Sequence, residues 1–133
     1  MELKTTELRI GNLIYGVSDR IEEITYITKK FVKTNLLKID AESQIFEIEH
    51  LSPIPLTEEW LLKFGFKDRS GILKNKTSYG IEIGKMEIAW YRQDNKTRFQ
   101  TIENGFILKY VTYVHELQNL FFALTGEELK LIH

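Results

Sequence analysis

The stretch Ser52-Pro53-Ile54-Pro55 constrains the fold of this chain more than any other. Prolines at alternate positions hold the backbone extended and remove two amide donors, so neither a helix nor a central strand can run through them. A helix start follows at once. Thr57 is a good N-cap, Glu58 and Glu59 lie where the helix dipole favours acids, and Leu56 and Leu61 occupy the staple positions. Trp60, Leu61 and Phe64 supply an apolar face and Gly65 a stop, which predicts a short helix over 57–64. The prolines divide the 133 residues into possible lobes 1–52 and 53–133 of a single domain.

Ahead of the prolines the chain reads as short strands. A tight turn or bulge at Gly11-Asn12 leads into Leu13-Ile14-Tyr15, and Ile21 to Thr28 is tipped towards strand by its β-branched Thr25-Tyr26-Ile27-Thr28. Phe31 to Asn35, and Ile45, Phe46 and Ile48, complete a small antiparallel sheet or partial barrel. Beyond the helix a β-meander is expected over 72–109. A two-residue turn at Gly84-Lys85 sets Ile83 opposite Met86, Ile81 opposite Ile88 and Tyr79 opposite Trp90, so that all six share one face. Asp94-Asn95-Lys96 and Asn104-Gly105 mark later reversals, bounding strands at Arg98–Ile102 and Phe106–Lys109. Val114, Leu117, Leu120, Phe121 and Leu124 repeat at helical spacing, predicting a C-terminal helix over 111–124 that Gly126 stops. The expected class is α+β.

Composition narrows the function. Apolar residues at 43% and charged residues at 28% are globular values, and 18 basic against 19 acidic residues remove any whole-protein attraction to nucleic acid. The absence of cysteine excludes disulfides, thiolate metal sites and a cysteine nucleophile. The polar start and the lack of an apolar run of ~18–20 residues point to a cytoplasmic protein with no membrane partner.

Enzyme motifs fail one by one. His115-Glu116 opens like a zinc-protease motif, but Asn119 stands where the second histidine is required. Glu47, Glu49 and His50 could be imagined around a metal, yet on a continuous strand residue 50 faces away from 47 and 49, so no metal site is expected. Gly80 to Lys85 is one residue short of a phosphate loop and reads better as a hairpin turn. The adjacent acids Glu22-Glu23, Glu58-Glu59 and Glu127-Glu128 point apart in pairs. The expectation is a protein that is not an enzyme and carries no cofactor.

Charge is nevertheless segregated. Residues 40–59 hold six acids and no Lys or Arg, whereas 63–76 hold five basic residues, Lys63, Lys67, Arg69, Lys74 and Lys76, against Asp68 alone. Local potentials of this kind steer docking on a charged partner. Tyr91, Arg92 and Arg98, with Lys96 near them, add aromatic and arginine strand positions of the kind that stack bases, hold phosphates or anchor protein interfaces. These eight residues, Lys63 to Lys76 and the strand three, are the expected partner-binding set.

Three stretches, Glu7-Leu8-Arg9-Ile10-Gly11-Asn12-Leu13-Ile14-Tyr15, the run from Pro53 to Phe66, and the run from Tyr113 to Leu129, together resemble a family of small uncharacterised proteins of phages and prophages of Bacteroidetes-type bacteria. The resemblance covers about a third of the chain and brings no catalytic residue with it. It implies a protein acting in the cytoplasm of an infected or lysogenic host by binding a host protein or nucleoprotein complex. The specific expectation is an anti-CRISPR inhibitor that meets an RNA-guided nuclease with its guide RNA. The alternative is a single-stranded nucleic-acid-binding accessory protein.

Overall fold

The computed structural model describes residues 3–36, 44–68, 77–83, 86–93, 96–101 and 107–132; between 77 and 109 it describes side chains for Tyr79, Gly80, Ile81, Glu82 and Trp90, and strand placement for the rest. It is an α+β fold, as the sequence predicts. A four-stranded antiparallel sheet, β1 (Leu13–Tyr15), β2 (Ile21–Ile27), β3 (Phe31–Leu36) and β4 (Gln44–Glu47), runs in sequence order. A short helix α1 (Glu58–Lys63) precedes a second antiparallel sheet of β5 (Lys67–Asp68), β6 (Thr77–Ile83), β7 (Met86–Gln93), β8 (Lys96–Thr101) and β9 (Ile107–Tyr110). Helix α2 (Val114–Thr125) closes the order.

The first sheet forms because its strands alternate. Ile24, Val32 and Phe46 take one face and, with Leu3, Leu8, Ile14 and Leu51, make a buried cluster. Glu22 lies among the buried residues of this sheet, and the Thr34 hydroxyl donates to its carboxylate at 2.8 Å. A Cβ on Gly16 would fall 1.6 Å from Glu22 Oε2, so only glycine leaves space for that carboxylate.

The second core is larger. Trp60, Leu61, Phe64 and Phe66 from α1 and its exit meet Tyr79 and Trp90 from the sheet and Val114 and Leu117 from α2. The register is the expected one: Ile83 opposes Met86, Ile81 opposes Ile88, and Tyr79 opposes Trp90. The turns at Gly84-Lys85, Asp94-Asn95 and Asn104-Gly105 lie outside the described residues. The two-residue β5 was not foreseen, because its Lys67-Asp68 are polar and exposed and pair at a sheet edge without any apolar alternation.

Both helix starts follow from local chemistry. Thr57 Oγ1 accepts from the Trp60 N–H at 3.4 Å. At α2, the Glu116 carboxylate accepts from the Thr112 and Tyr113 N–H groups at 3.1 and 3.0 Å, and Gly126 ends the helix in the left-handed region at φ 75°. The helix begins three residues later than 111 because the preceding segment is extended. There the Leu56 N–H donates to Thr112 O and the Val114 N–H to Ile54 O, each at 2.9 Å. On the other side Ser52 and Tyr15 exchange backbone bonds at 2.9 and 3.1 Å. The two prolines therefore occupy positions of a stitching strand at which no donor is used.

Strand β1 belongs to both cores: Leu13 packs into the larger and Ile14 into the smaller. Its entry is held by α2. Gln118 Oε1 accepts from the Leu13 N–H at 2.9 Å while Gln118 Nε2 donates to Gly11 O at 3.1 Å. Asn119 donates to Glu7 O at 2.9 Å and accepts from Asn12 Nδ2 at 2.9 Å. Arg9 forms an ion pair with Glu128, bonds Asn119 Oδ1 at 3.2 Å, and lies 3.9 Å over the Phe122 ring.

Two outcomes are expected. Trp60→Ala empties a buried indole site and should lower unfolding free energy by about 3–5 kcal/mol in a denaturant titration. Gln118→Leu keeps the volume but strands the Leu13 N–H and the Gly11 carbonyl, and should cost about 1–3 kcal/mol in the same measurement.

Candidate functional site

Strand register sorts the expected binding residues onto faces. Trp90 is buried and opposes Tyr79 and Phe99, which defines the core side of the second sheet. The alternate positions make the outer face. There Ser78, Tyr91, Arg98 and Tyr110 form one row across β6, β7, β8 and β9, since each is the register partner of the next. The neighbouring row on this face runs Lys67, Gly80, Ala89 and Gln100, and on the other side Gln93 opposes Lys96. Beyond the Gly80 row, Glu82 opposes Glu87.

The described residues of this face differ in exposure, and Gly80 is buried. Tyr110 is 53% exposed, and Lys67 and Glu82 are exposed as well. Cationic positions Arg98 and Lys96 lie on β8 between and beside the two tyrosine positions, Lys67 stands on the β5 edge one strand from Glu82, and Glu82 and Glu87 stand together at the far end. Local charge is thus ordered along the strands although the whole chain is nearly neutral.

Of the eight expected residues, the fold brings Lys67, Tyr91 and Arg98 to this one face. Arg92 opposes Thr97 in the alternate row, on the parity of Trp90, so it does not join them. Lys63 is engaged on α1, 3.3 Å from Glu59 Oε1 and 5.1 Å over the Trp60 ring. Arg69, Lys74 and Lys76 lie outside the described residues. Tyr110 was not among the expected set. Its signal was present in principle, but a bulge between Phe99 and Gln100 shifts the β8–β9 register, and turn residues alone do not reveal that shift.

Other clusters have less to offer a partner. On the first sheet, Lys33 Nζ stands 5.2 Å over the Tyr26 ring and Phe31 stacks on Tyr26 at 6.4 Å, so this aromatic group is already engaged within the protein. A cleft of about 390 Å³ between β1, α1 and the segment after α2 has Leu13, Phe64 and Leu129 in its walls, but its Glu128 carboxylate is held by Arg9. The expectation that His50 faces away from Glu47 and Glu49 is corrected: β4 ends at Glu47, and Ile48–His50 is a turn of 3₁₀ helix. This turn brings one ligand atom from each of the three exposed residues within 4.8 Å of one another. Lys29 and Lys30 line the same shallow cleft as Glu47 and Glu49, which gives these acids nearby countercharge.

On the core side, Tyr79 donates its hydroxyl proton to Glu58 Oε2 at 3.2 Å. Burial raises its pKa, and the hydrogen bond to Glu58 and the negative charges of Glu58 and Asp68 raise it further. A phenol that ionises later in the folded state contributes stability that is intact below about pH 10 and is lost as pH rises through the folded-state value. In an ultraviolet phenolate titration, Tyr79 should be a late-ionising tyrosine, and Tyr79→Phe should delete that late phase while leaving the earlier ones.

No protein-family model matches the chain, and no curated protein or solved structure matches it at a significant level, so its role is read from its own residues.

Proposed function

We propose that this chain is a non-enzymatic binding protein of phage type that inhibits a host RNA-guided nuclease by occupying it stoichiometrically. The observation that carries the reading is the outer face of the second sheet, where register sets Tyr91 opposite Arg98 and Arg98 opposite the exposed Tyr110. Tyrosine and arginine are the residue types that dominate binding hot spots, because they combine a large rigid contact area with directed polar groups. The cationic positions Arg98 and Lys96 on β8 favour an anionic partner and would speed its approach. The resemblance of three stretches to a phage family supports the choice of host machine. It concerns structural positions: the first and third of those stretches meet in the joint of Arg9, Asn12, Gln118, Asn119 and Glu128.

The test is a titration of purified RNA-guided nucleases, loaded with guide RNA, against this protein. Cleavage by the susceptible nuclease should fall linearly to a plateau at one equivalent, and a stable complex should co-elute on gel filtration. Changing Lys67 and Arg98 together to Glu should slow association and weaken inhibition, with thermal stability little changed at the exposed Lys67. Inhibition that continues to accumulate with time at far less than one equivalent would indicate turnover and reject stoichiometric binding.

A further inference from the structure

We infer that the outer face of the second sheet binds single-stranded RNA directly, with Tyr91 and Tyr110 as base-stacking positions on either side of Arg98. This rests on the docking reading above and deepens it, by naming RNA as the part of a nucleoprotein partner that this face meets.

Three observations point the same way. First, the order aromatic, arginine, aromatic runs across three adjacent strands, β7, β8 and β9, by direct register pairing. Adjacent strands lie about 4.8 Å apart, so the two tyrosine positions are separated by about 10 Å with a guanidinium-bearing position between them. Aromatics two strands apart on an open antiparallel sheet can each stack an unpaired base of one strand, and an arginine between them can hold a connecting phosphate or stack in turn.

Second, the surroundings suit a flat, anionic, hydrogen-bonding ligand. Ala89, two residues from Tyr91 along β7, is a small residue in the adjoining row of the same face. Gln93 and Gln100 are amide-bearing positions and Lys96 a cationic position on the same face, next to the row along β7 and β8. Third, Glu82 and Glu87 oppose each other at the far end of the face and repel phosphate, which limits the footprint to the tyrosine side. Base stacking needs unpaired bases, so the ligand is a single strand rather than an A-form duplex, whose bases are closed within the helix.

The probe is a fluorescently labelled, unstructured oligoribonucleotide of about 12 nucleotides, within the site sizes of small single-strand-binding modules. Anisotropy with the full chain should show saturable binding that weakens with salt and resists competition by duplex RNA. Tyr110→Ala and Tyr91→Ala should each reduce affinity roughly 5- to 150-fold, while Tyr110→Phe, which keeps the ring, should change it little. Arg98→Ala should weaken binding and flatten the salt dependence, and Glu87→Gln should strengthen it. Because Tyr110 is exposed, its alanine variant keeps the fold and the test stays decisive even where Tyr91→Ala does not fold.

No binding by the wild-type chain to oligonucleotides of any base composition overturns the inference, as does binding indifferent to Tyr110→Ala and Arg98→Ala. The two proposals fail separately. A nuclease inhibited at one equivalent, bound equally with and without guide RNA and indifferent to these variants, would leave the inhibitor reading standing and show that the face meets protein. Variant-sensitive RNA binding with no nuclease inhibited would do the reverse.

Discussion

One amide side chain sets the relation between the two halves of this molecule. Gln118 uses its oxygen on the Leu13 N–H and its nitrogen on the Gly11 carbonyl. It thereby gives the entry of β1 the bonds that another strand would have supplied. That matters because β1 is only three residues long and places adjacent side chains in different cores. A slip of one residue would exchange Leu13 and Ile14 between the cores, and a side-chain amide whose oxygen must meet an N–H and whose nitrogen must meet a carbonyl opposes such a slip. The surrounding Arg9, Asn12, Asn119 and Glu128 contacts hold the same turn.

The Pro53–Pro55 segment is tied down in the same region by backbone bonds of its own. It bonds to β1 through Ser52 and to the approach of α2 through Ile54 and Leu56. The chain thus passes from sheet to sheet through an element that is itself paired on both sides. The second sheet then needs to bury only its core side, against α1 and α2. Its other side holds the row Ser78, Tyr91, Arg98 and Tyr110.

Much of this was legible from the sequence because it is local. Thr57 with Glu58 and Glu59, the period-two run from Tyr79 to Trp90, and the helical spacing from Val114 to Leu124 each carry their own physical signature. The joint was not legible, since Gln118 and Asn119 look like interruptions of an apolar helix until Gly11 and Asn12 are placed beside them. The site was half legible. Tyr91 and Arg98 stood out as residue types, but whether Arg92 or Tyr110 completes the group depends on register, and a bulge at Phe99/Gln100 resets it. The His50 turn was misjudged for a related reason: parity arguments hold only while a strand continues, and β4 stops at Glu47.

The bond between Leu13 and Gln118 spans 105 positions of sequence. During synthesis from the N-terminus, the first sheet emerges long before the helix that fixes its leading strand. Until then the Leu13 amide and the Gly11 carbonyl must be hydrated, and the apolar Leu13 side chain has no core to enter. Closure of so distant a contact is slow relative to hairpin formation. β1 can pair with its sequence neighbour β2 before then, so what the late helix adds is the cover on the other edge of β1, an edge that is open to water on the ribosome and closed in the finished protein.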